Sequence, residues 1–389
     1  MTVGLLIAVL ALLVWMFLIL GRGGFWLARE HAPGTCRLHA DRVDENWPRV
    51  VAVVPARNEA DMLPRSLASL LAQDYRGLFS IIVVDDQSSD ATADVARRLA
   101  KDGRREVMTL GGLPLPPGWT GKVWALEQGI AHAKRGSAPP HFLLLTDADV
   151  CYAPDSLSHL VGRARTNALV MTSLMAMLNC QSLAERSLIP AFVFFFQMLY
   201  PFAWVNDRTA ATAAAAGGCM LVERQALERA GGIAAIRGAL IDDCALARLM
   251  KAQGPIWLGL TDRVISLRSY PQIADIRRMV ARSAYAQLRY SPLLLAATVA
   301  AMSVTYMAAP IVAILAGFPA NALAGVVWTL MAIAFQPTLR RYRRSPLWGA
   351  ALPLIGMAYV AFTIDSAYQH RRGRGGLWKG RVQAMPLKR

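Results

Sequence analysis

The distribution of apolar residues along this chain predicts a folded α/β part framed by membrane helices. The first apolar run, Val3 to Leu20, contains 18 residues without a charge, which is enough to span a bilayer as one helix. Near the other end, three further apolar runs predict up to three more membrane segments, at 293–315, 320–335 and 347–364. Between them the apolar runs are short and separated by polar stretches, as in a globular domain.

Short runs at Val50–Val54, Ile81–Val84 and Phe142–Leu145 predict buried strands, since they are rich in β-branched residues and leucine. Each is followed or preceded by a stretch with helical character, and we expect helices at about 60–71, 91–100 and 122–134. Buried strands that alternate with helices predict a mostly parallel sheet covered on both faces. The predicted fold class is therefore α/β, with ligands bound where the carboxyl ends of the strands meet the loops.

Acidic pairs follow three of the hydrophobic runs. They are Asp85-Asp86, Asp147-Ala148-Asp149 and Asp242-Asp243, and all three are expected at strand ends. The chain is otherwise strongly basic, with 389 residues and a formal net charge of +16. Paired carboxylates in such a chain indicate a divalent metal that holds a phosphate-bearing substrate, because hard cations prefer oxygen ligands.

Basic residues predict the topology. Those that closely follow the first helix favour a cytosolic domain and an outside N-terminus; they are Arg22, Arg29, Arg37 and Arg42. The loop 340–344 and the tail from Arg371 are also basic and are expected on the cytosolic side, beside anionic lipid. Both cannot be cytosolic if every segment spans, so we expect one of the last two to be re-entrant or interfacial. The first run lacks the basic start and cleavage pattern of a signal peptide.

Composition excludes several other classes. No recognition motif with interleaved aromatic residues accompanies the positive charge, which argues against nucleic-acid binding. The cysteines are far apart and lack CxxC spacing, so neither a zinc site nor a disulfide framework is indicated, and we expect reduced, buried residues. They are Cys36, Cys151, Cys180, Cys219 and Cys244.

Three segments have less specific patterns. The aromatic stretch from Leu188 to Val205 is interrupted by prolines, and it fits either the membrane interface or an ordinary buried helix. The alanine-rich stretch 210–216 predicts a mobile or closely packed loop. Residues 273–290 place arginines among apolar side chains, as an amphipathic interfacial helix does.

Five short motifs, in this order, resemble the family 2 inverting glycosyltransferases over residues 50 to about 290. They are Val54-Pro55-Ala56-Arg57-Asn58-Glu59, Val84-Asp85-Asp86-Gln87-Ser88-Ser89-Asp90, Gly121-Lys122, Asp147-Ala148-Asp149 and Asp242-Asp243. Each motif alone is weak, but their combination is specific. The N-terminal helix, the second motif, the strand Met171–Met177 and the hydrophobic C-terminal third look most similar to the hopene-associated glycosyltransferases of hopanoid gene clusters. Ceramide glucosyltransferases are a more distant resemblance.

The resemblance implies a domain of the GT-A (nucleotide-diphospho-sugar transferase) fold with membrane and interfacial helices, in the cytoplasmic membrane of a bacterium. The implied reaction moves a sugar from a nucleotide-diphosphate donor, a UDP-sugar, to the hydroxyl of a membrane lipid, with a hopanoid as the favoured acceptor. The expected segments are a transmembrane helix at 1–24, a cytosolic catalytic domain at 48–270, an interfacial helix at 271–291, membrane segments at 292–368 and a basic tail at 369–389.

The pattern of carboxylates and the family resemblance both indicate residues that bind the metal and the donor. Asp149 is the expected metal ligand, Asp147 reaches the ribose or the metal's water shell, and Mg2+ or Mn2+ suits so oxygen-rich a site. By the resemblance, the nucleotide pocket is lined by Pro55, Arg57, Glu59 and Asp86, and Asp86 contacts the base or the ribose. The resemblance also places Lys122 near a phosphate or the sugar. Without a ligand, Asp86 would be a helix cap and Lys122 a solvated surface residue.

An acceptor hydroxyl needs a base that removes its proton during attack on the sugar. By the resemblance, Asp243 has that role and Asp242 assists or orients the loop; as an alternative, both cap a helix at 244–251. Arg282 matches the arginine of a family motif that closes over the diphosphate, but Ser283 replaces its aromatic partner, which weakens the case for processive polysaccharide synthesis. The sequence 378–381 resembles a tail motif of related membrane enzymes.

Two alternatives to lipid glycosylation remain open at this point. Within enzymes, the acceptor is polyprenyl phosphate or a growing polysaccharide. Outside enzymes, the chain is a non-catalytic membrane scaffold that binds nucleotide or anionic lipid.

Overall fold

The structure is a computed structural model that describes residues 2–32, 46–102, 105–135 and 138–382. Its strands are β1 (Val50–Ala56), β2 (Phe79–Asp85), β3 (Val107–Gly111), β4 (Phe142–Thr146), β5 (Val150–Tyr152), β6 (Met171–Met177), β7 (Cys219–Glu223), β8 (Ile256–Ser266), β9 (Leu377–Trp378) and β10 (Arg381–Val382). Its α-helices are α1 (Val3–Leu20), α2 (Leu63–Leu71), α3 (Thr92–Asp102), α4 (Gly121–Ala133), α5 (Ser156–Thr166), α6 (Leu183–Leu199), α7 (Phe202–Asn206), α8 (Arg224–Arg229), α9 (Asp242–Lys251), α10 (Ile273–Ala281), α11 (Ala284–Gln287), α12 (Pro292–Leu315), α13 (Ala320–Arg341) and α14 (Leu352–Arg371).

The chain forms two compact units. One, the sheet unit, comprises Glu30–Asn179 and Trp204–Arg268, and the other, the helical unit, comprises Met1–Arg29, Cys180–Ala203 and Ser269–Arg389. The sheet unit is thus built from two stretches of chain, and the segment around α6 belongs to the helical unit.

The sheet unit contains an eight-stranded sheet of order β3-β2-β1-β4-β7-β6-β8-β5. Strands β3, β2, β1 and β4 are parallel, and β1 is buried along its whole length, which explains its continuous apolar sequence. Strand β7 runs antiparallel to both β4 and β6, and β5 runs antiparallel to β8. Strands β6 and β8 are parallel to each other and run in the same direction as β1, so β7 and β5 are the two reversed strands of this described sheet. The sheet is therefore mixed but mostly parallel, as predicted, and the half formed by β3, β2, β1 and β4 is parallel throughout.

Predicted and observed elements of the parallel half agree closely. The helices expected at about 60–71, 91–100 and 122–134 are α2, α3 and α4. Gly129 on α4 lies so close to β1 that a Cβ there would be 2.4 Å from Val53 Cγ1, so the helix packs directly on the sheet.

Three helices of the helical unit, α1, α12 and α13, are long and apolar enough to cross a membrane by length and composition. The indole of Trp15 on α1 donates a 2.8 Å hydrogen bond to the Thr305 carbonyl of α12. Helix α14, the last of the predicted segments, is not among the three. Its Tyr359 hydroxyl donates to the Leu188 carbonyl of α6, so α14 and α6 pack together inside this unit.

Two ambiguous segments are resolved locally. The aromatic stretch forms α6, in which Phe194 is fully buried and contacts Phe25 and Phe335 with ring centroids 5.2 Å apart in each pair. It packs as a core helix of the helical unit does. The helix predicted at 273–290 is interrupted after α10 and continues only as the short α11.

The cysteines are free thiols at the four described positions. Cys219 and Cys244 are buried as predicted, whereas Cys151 and Cys180 are half-buried, so that part of the prediction is wrong. Cys36, Arg37 and Arg42 lie outside the described residues.

Candidate active site

Three parallel strands bring the predicted carboxylates to one edge of the sheet. Strands β2, β1 and β4 are neighbours that run the same way, so the residues after Asp85, Ala56 and Thr146 all emerge at their shared carboxyl edge. Antiparallel β7 begins at that edge, and the preceding Gly217-Gly218 turn therefore lies there as well. The expected convergence of strand ends is observed.

Lys122, in the first turn of α4, bridges two of the acidic pairs. Its Nζ lies 2.8 Å from Asp147 Oδ1 and 3.2 Å from Asp242 Oδ2. Burial of the ammonium opposes its charge, but the carboxylates of Asp147 and Asp242 outweigh it and raise the pKa of Lys122. Burial also raises the pKa of Asp147, where Lys122 opposes the rise and Asp149 adds to it. Lys122 is thus a shielded counter-ion rather than a solvated surface lysine.

Asp243 lies beside this bridge and is held by backbone groups. The Gly217 N–H donates to Oδ2 over 3.1 Å, and the Cys244 N–H donates to Oδ1 over 2.7 Å. Burial, and then the charge of Asp242, raise the pKa of Asp243 to about 6. Such a carboxylate is ionised at neutral pH yet close enough to that pH to accept a proton, as a general base must.

The acidic pair at 242–243 is not at a strand end, contrary to the prediction. Asp242 and Asp243 are the first two residues of α9, whose N-cap is Ile241, so they are not caps either. They therefore lie at the positive end of the helix dipole, where acidic residues are commonly found.

Gly217 lies against the site, which leaves little room for a side chain at this position. A Cβ on Gly217 would lie 3.1 Å from Lys122 Nζ and 3.3 Å from Asp243 Oδ2. The alanine-rich stretch before it is closely packed, with residues 213–216 buried. Lys251 of α9 fixes that stretch, since its Nζ donates to the carbonyls of Val205 and Thr212 at 2.9 and 2.6 Å.

A second set of ion pairs centres on Arg268, which follows β8. Its Nε donates to Asp149 Oδ2 and its Nη2 to Glu59 Oε1, both over 2.6 Å. The side chains of Glu59 and Asp149 are largely buried, at 10% and 13% exposed. Arg268 therefore ties the predicted metal ligand to a predicted nucleotide residue. No pattern in the sequence pointed to Arg268.

The remaining predicted nucleotide residues surround the ends of β1 and β2. Pro55 lies in buried β1, and the Arg57 guanidinium donates to the backbone carbonyls of Asp86 and Gln87 and lies 3.9 Å from Asp86 Oδ2. Asp86 is fully buried, so a contact with a nucleotide base stays a prediction that requires this region to open. The neighbouring Asp85 has a buried Oδ1 without a hydrogen-bond partner in the described part of the chain.

The carboxylates of this site suit a divalent metal whose coordination shell is completed by substrate and water. Among the described residues, no three histidine, cysteine or acidic side chains converge as a complete protein site would need. Mg2+ is commonly held by one or two carboxylates while substrate phosphates and water complete the shell. Asp149 fits that pattern, because its Oδ1 has no hydrogen bond within the described residues, and Asp147 lies next to it in the chain.

The structure thus brings together nine of the ten predicted site residues within the sheet unit. Arg282 belongs to the helical unit, where it follows α10 and is exposed, and its role stays a prediction. Gly217 and Arg268 are additions, and of the two only Gly217 had a sequence signal, the glycine pair before an apolar strand.

Residues 51–231 match the family described as Glycosyl transferase family 2. A 4,4'-diaponeurosporenoate glycosyltransferase of Staphylococcus haemolyticus is 32% identical over 109 residues, which are 28% of this chain and 26% of that protein. An N-acetylglucosaminyltransferase of Rhizobium leguminosarum bv. viciae is 36% identical over 124 residues, 31% of this chain and 27% of its own length. The matches thus span about a quarter of these curated relatives.

A solved structure of similar fold is the mannosyltransferase from Pyrobaculum calidifontis in complex with GDP-Man and Mn2+. It has a TM-score of 0.59 and 18% identity, and the match covers 94% of this chain and 99% of that one. The likeness shows that the fold is of the GT-A type. The family match covers somewhat less than half of the chain, and over those residues, 51–231, it supports the expected transferase.

Proposed function

We propose that the protein is a membrane-bound, metal-dependent inverting glycosyltransferase that moves a sugar from a UDP-sugar to the hydroxyl of a membrane lipid, with a hopanoid as the favoured acceptor. One observation supports this proposal most. Asp147 and Asp242 both pair with Lys122 at one sheet edge, beside Asp243, and Asp149 follows two residues after Asp147, all within or next to a stretch that matches a glycosyltransferase family.

The donor end of the site is assigned to Asp147, Asp149 and Lys122. A Mg2+ or Mn2+ ion bound there would stabilise the negative charge that develops on the departing diphosphate. Asp149 would ligate it through Oδ1, while Asp147 holds the ribose or a water of the metal shell. Lys122 supplies a fixed positive charge between the donor end and α9.

The acceptor end is assigned to Asp243. Its raised pKa and its two backbone hydrogen bonds give an oriented carboxylate that takes the proton of the attacking hydroxyl. A single displacement of this kind inverts the anomeric centre. Asp242 keeps the pKa of Asp243 high and pairs with Lys122.

A lipid acceptor is favoured by the three helices that are suited to a membrane. If α1, α12 and α13 cross and α14 lies at the interface, the catalytic domain, the loop 340–344 and the basic tail all fall on the cytosolic side, as the positive-inside rule requires. The Staphylococcus relative is named for diaponeurosporenoate rather than a sugar chain, which also supports a non-carbohydrate acceptor.

The test is mass spectrometry of lipids from cells that express the protein, the Asp243→Asn variant or neither. We expect a hexosylated lipid, a hopanoid in a hopanoid-producing host, with the wild type alone. A glycosylated polyprenyl phosphate or a polysaccharide as the product would contradict the acceptor assignment. If no new glycosylated product forms while the protein still binds nucleotide, the non-catalytic scaffold is favoured.

A further inference from the structure

Arg268 is anchored next to Asp149 by the backbone as well as by its side chain. Strand β8 pairs with β5, with Ser266 opposite Val150, and the Leu267 N–H donates to the Asp149 carbonyl over 2.8 Å. The backbone next to Arg268 is therefore fixed beside Asp149, within reach of the guanidinium. The guanidinium donates to the two carboxylates from different nitrogens, Nε to Asp149 and Nη2 to Glu59, so the planar group is held at two points.

The two carboxylate oxygens of Asp149 differ in their hydrogen bonding. Oδ2 accepts the Arg268 Nε–H, and Oδ1 has no hydrogen bond in the described part of the chain. A carboxylate held on one oxygen has a fixed plane and presents the other oxygen in one direction. Hydrogen-bonded partners of this type orient metal ligands and contribute about 10–100-fold to metal affinity.

We propose that Arg268 is a positioning residue that orients Asp149, and with it Glu59, for the divalent metal and its nucleotide. This inference rests on the proposed function, because it assumes that Asp149 is a metal ligand. Arg268 does not touch the reacting atoms in this account. It acts through the carboxylate that it holds.

Electrostatics alone predicts the opposite sign for the loss of this arginine. Removing a positive charge beside a cation site would tighten metal binding, since like charges repel. If orientation dominates, the loss weakens binding instead. The direction of the change therefore separates a positioning role from that of a mere neighbouring charge.

The experiment titrates Mn2+ alone into the full chain, purified in detergent, and follows free Mn2+ by electron paramagnetic resonance. The variants are Arg268→Ala and Arg268→Lys. A matched control is Arg263→Ala, because Arg263 lies on β8, five residues before Arg268, and also forms an ion pair with an aspartate, Asp155. Thermal unfolding of each variant shows whether it is folded, and Arg268→Lys, which keeps the charge and one hydrogen bond, serves if the alanine variant does not fold.

We expect Arg268→Ala to weaken Mn2+ binding by about 10–100-fold, Arg268→Lys to be intermediate, and Arg263→Ala to match the wild type. Unchanged or tighter binding by both Arg268 variants, beside a wild type that binds, would overturn the inference and leave the proposed function standing. A wild type that fails to bind Mn2+ even with UDP present would overturn the metal-dependent function and the inference together.

Discussion

The raised pKa of Asp243 has a measurable effect on stability. Its pKa in the folded protein is about 6, against an ordinary value of 3.8, because of burial and the charge of Asp242. The folded state therefore binds this proton more tightly than the unfolded chain does. The stability that this provides is fully present below about pH 4 and is lost as the pH rises through about 6.

Asparagine does not ionise, so Asp243→Asn loses no stability as the pH rises, although its amide nitrogen cannot accept one of the two backbone hydrogen bonds. One pKa unit corresponds to about 1.4 kcal/mol, so the stability of the variant relative to the wild type should increase by about 3 kcal/mol between about pH 4 and neutral pH. The same variant should lose about 10²- to 10⁴-fold in transfer rate, because it lacks the base. A relative gain in stability with rising pH, together with a loss of activity, is the expected signature of this site.

The assay is thermal unfolding of the full chain in detergent between about pH 4 and 7.5, with the variant and the wild type compared at each pH. We expect the difference in Tm to grow as the pH rises through the window between about 4 and 6. The matched control is Asp61→Asn, at an exposed aspartate, which should give a flat difference. If the difference in Tm between Asp243→Asn and the wild type stays flat or falls as the pH rises, ionisation of the Asp243 carboxylate does not destabilise the wild type, and the reasoning is refuted.

Two further substitutions test the geometry of the site. Asp242→Asn removes the like charge beside Asp243, so the acidic limb of the pH–rate profile should move below about 6. If the acidic limb stays in place, Asp242 does not raise the pKa of the base. Gly217→Ala places a Cβ 3.1 Å from Lys122 Nζ and 3.3 Å from Asp243 Oδ2, so transfer should fall by about 10-fold or more while the Tm changes little. Wild-type kinetics in that variant would mean that the Lys122 and Asp243 side chains accommodate the added methyl group without loss of function.

The parallel half of the sheet could be predicted because its signals are local. Continuous apolar runs mark β1, β2 and β4, and parallel neighbours bring their carboxyl ends to one edge whatever the rest of the chain does. The convergence of Asp86, Asp147 and Asp149 follows from that rule alone. The direction of β7 could not be predicted, because nothing in its local sequence distinguishes an antiparallel strand from a parallel one.

The contacts that complete the site depend on distant residues. Arg268 meets Asp149 and Glu59 across 119 and 209 positions of sequence, so no spacing rule reveals it. Asp242 and Asp243 followed a short apolar pair that looked like a strand end, but the chain turns into α9 there. Burial of Asp86 likewise depends on how Arg57 folds over the end of β2.

The central claim is that the carboxylates at this sheet edge hold a metal-bound nucleotide. Calorimetric titration of UDP into the full chain, with Mn2+ and then with a chelator, tests it most directly, in the wild type and in Asp149→Asn. The account predicts binding that requires Mn2+ and is weakened at least about 10-fold in the variant. Equal affinity for UDP in the chelator, or in Asp149→Asn, would contradict it.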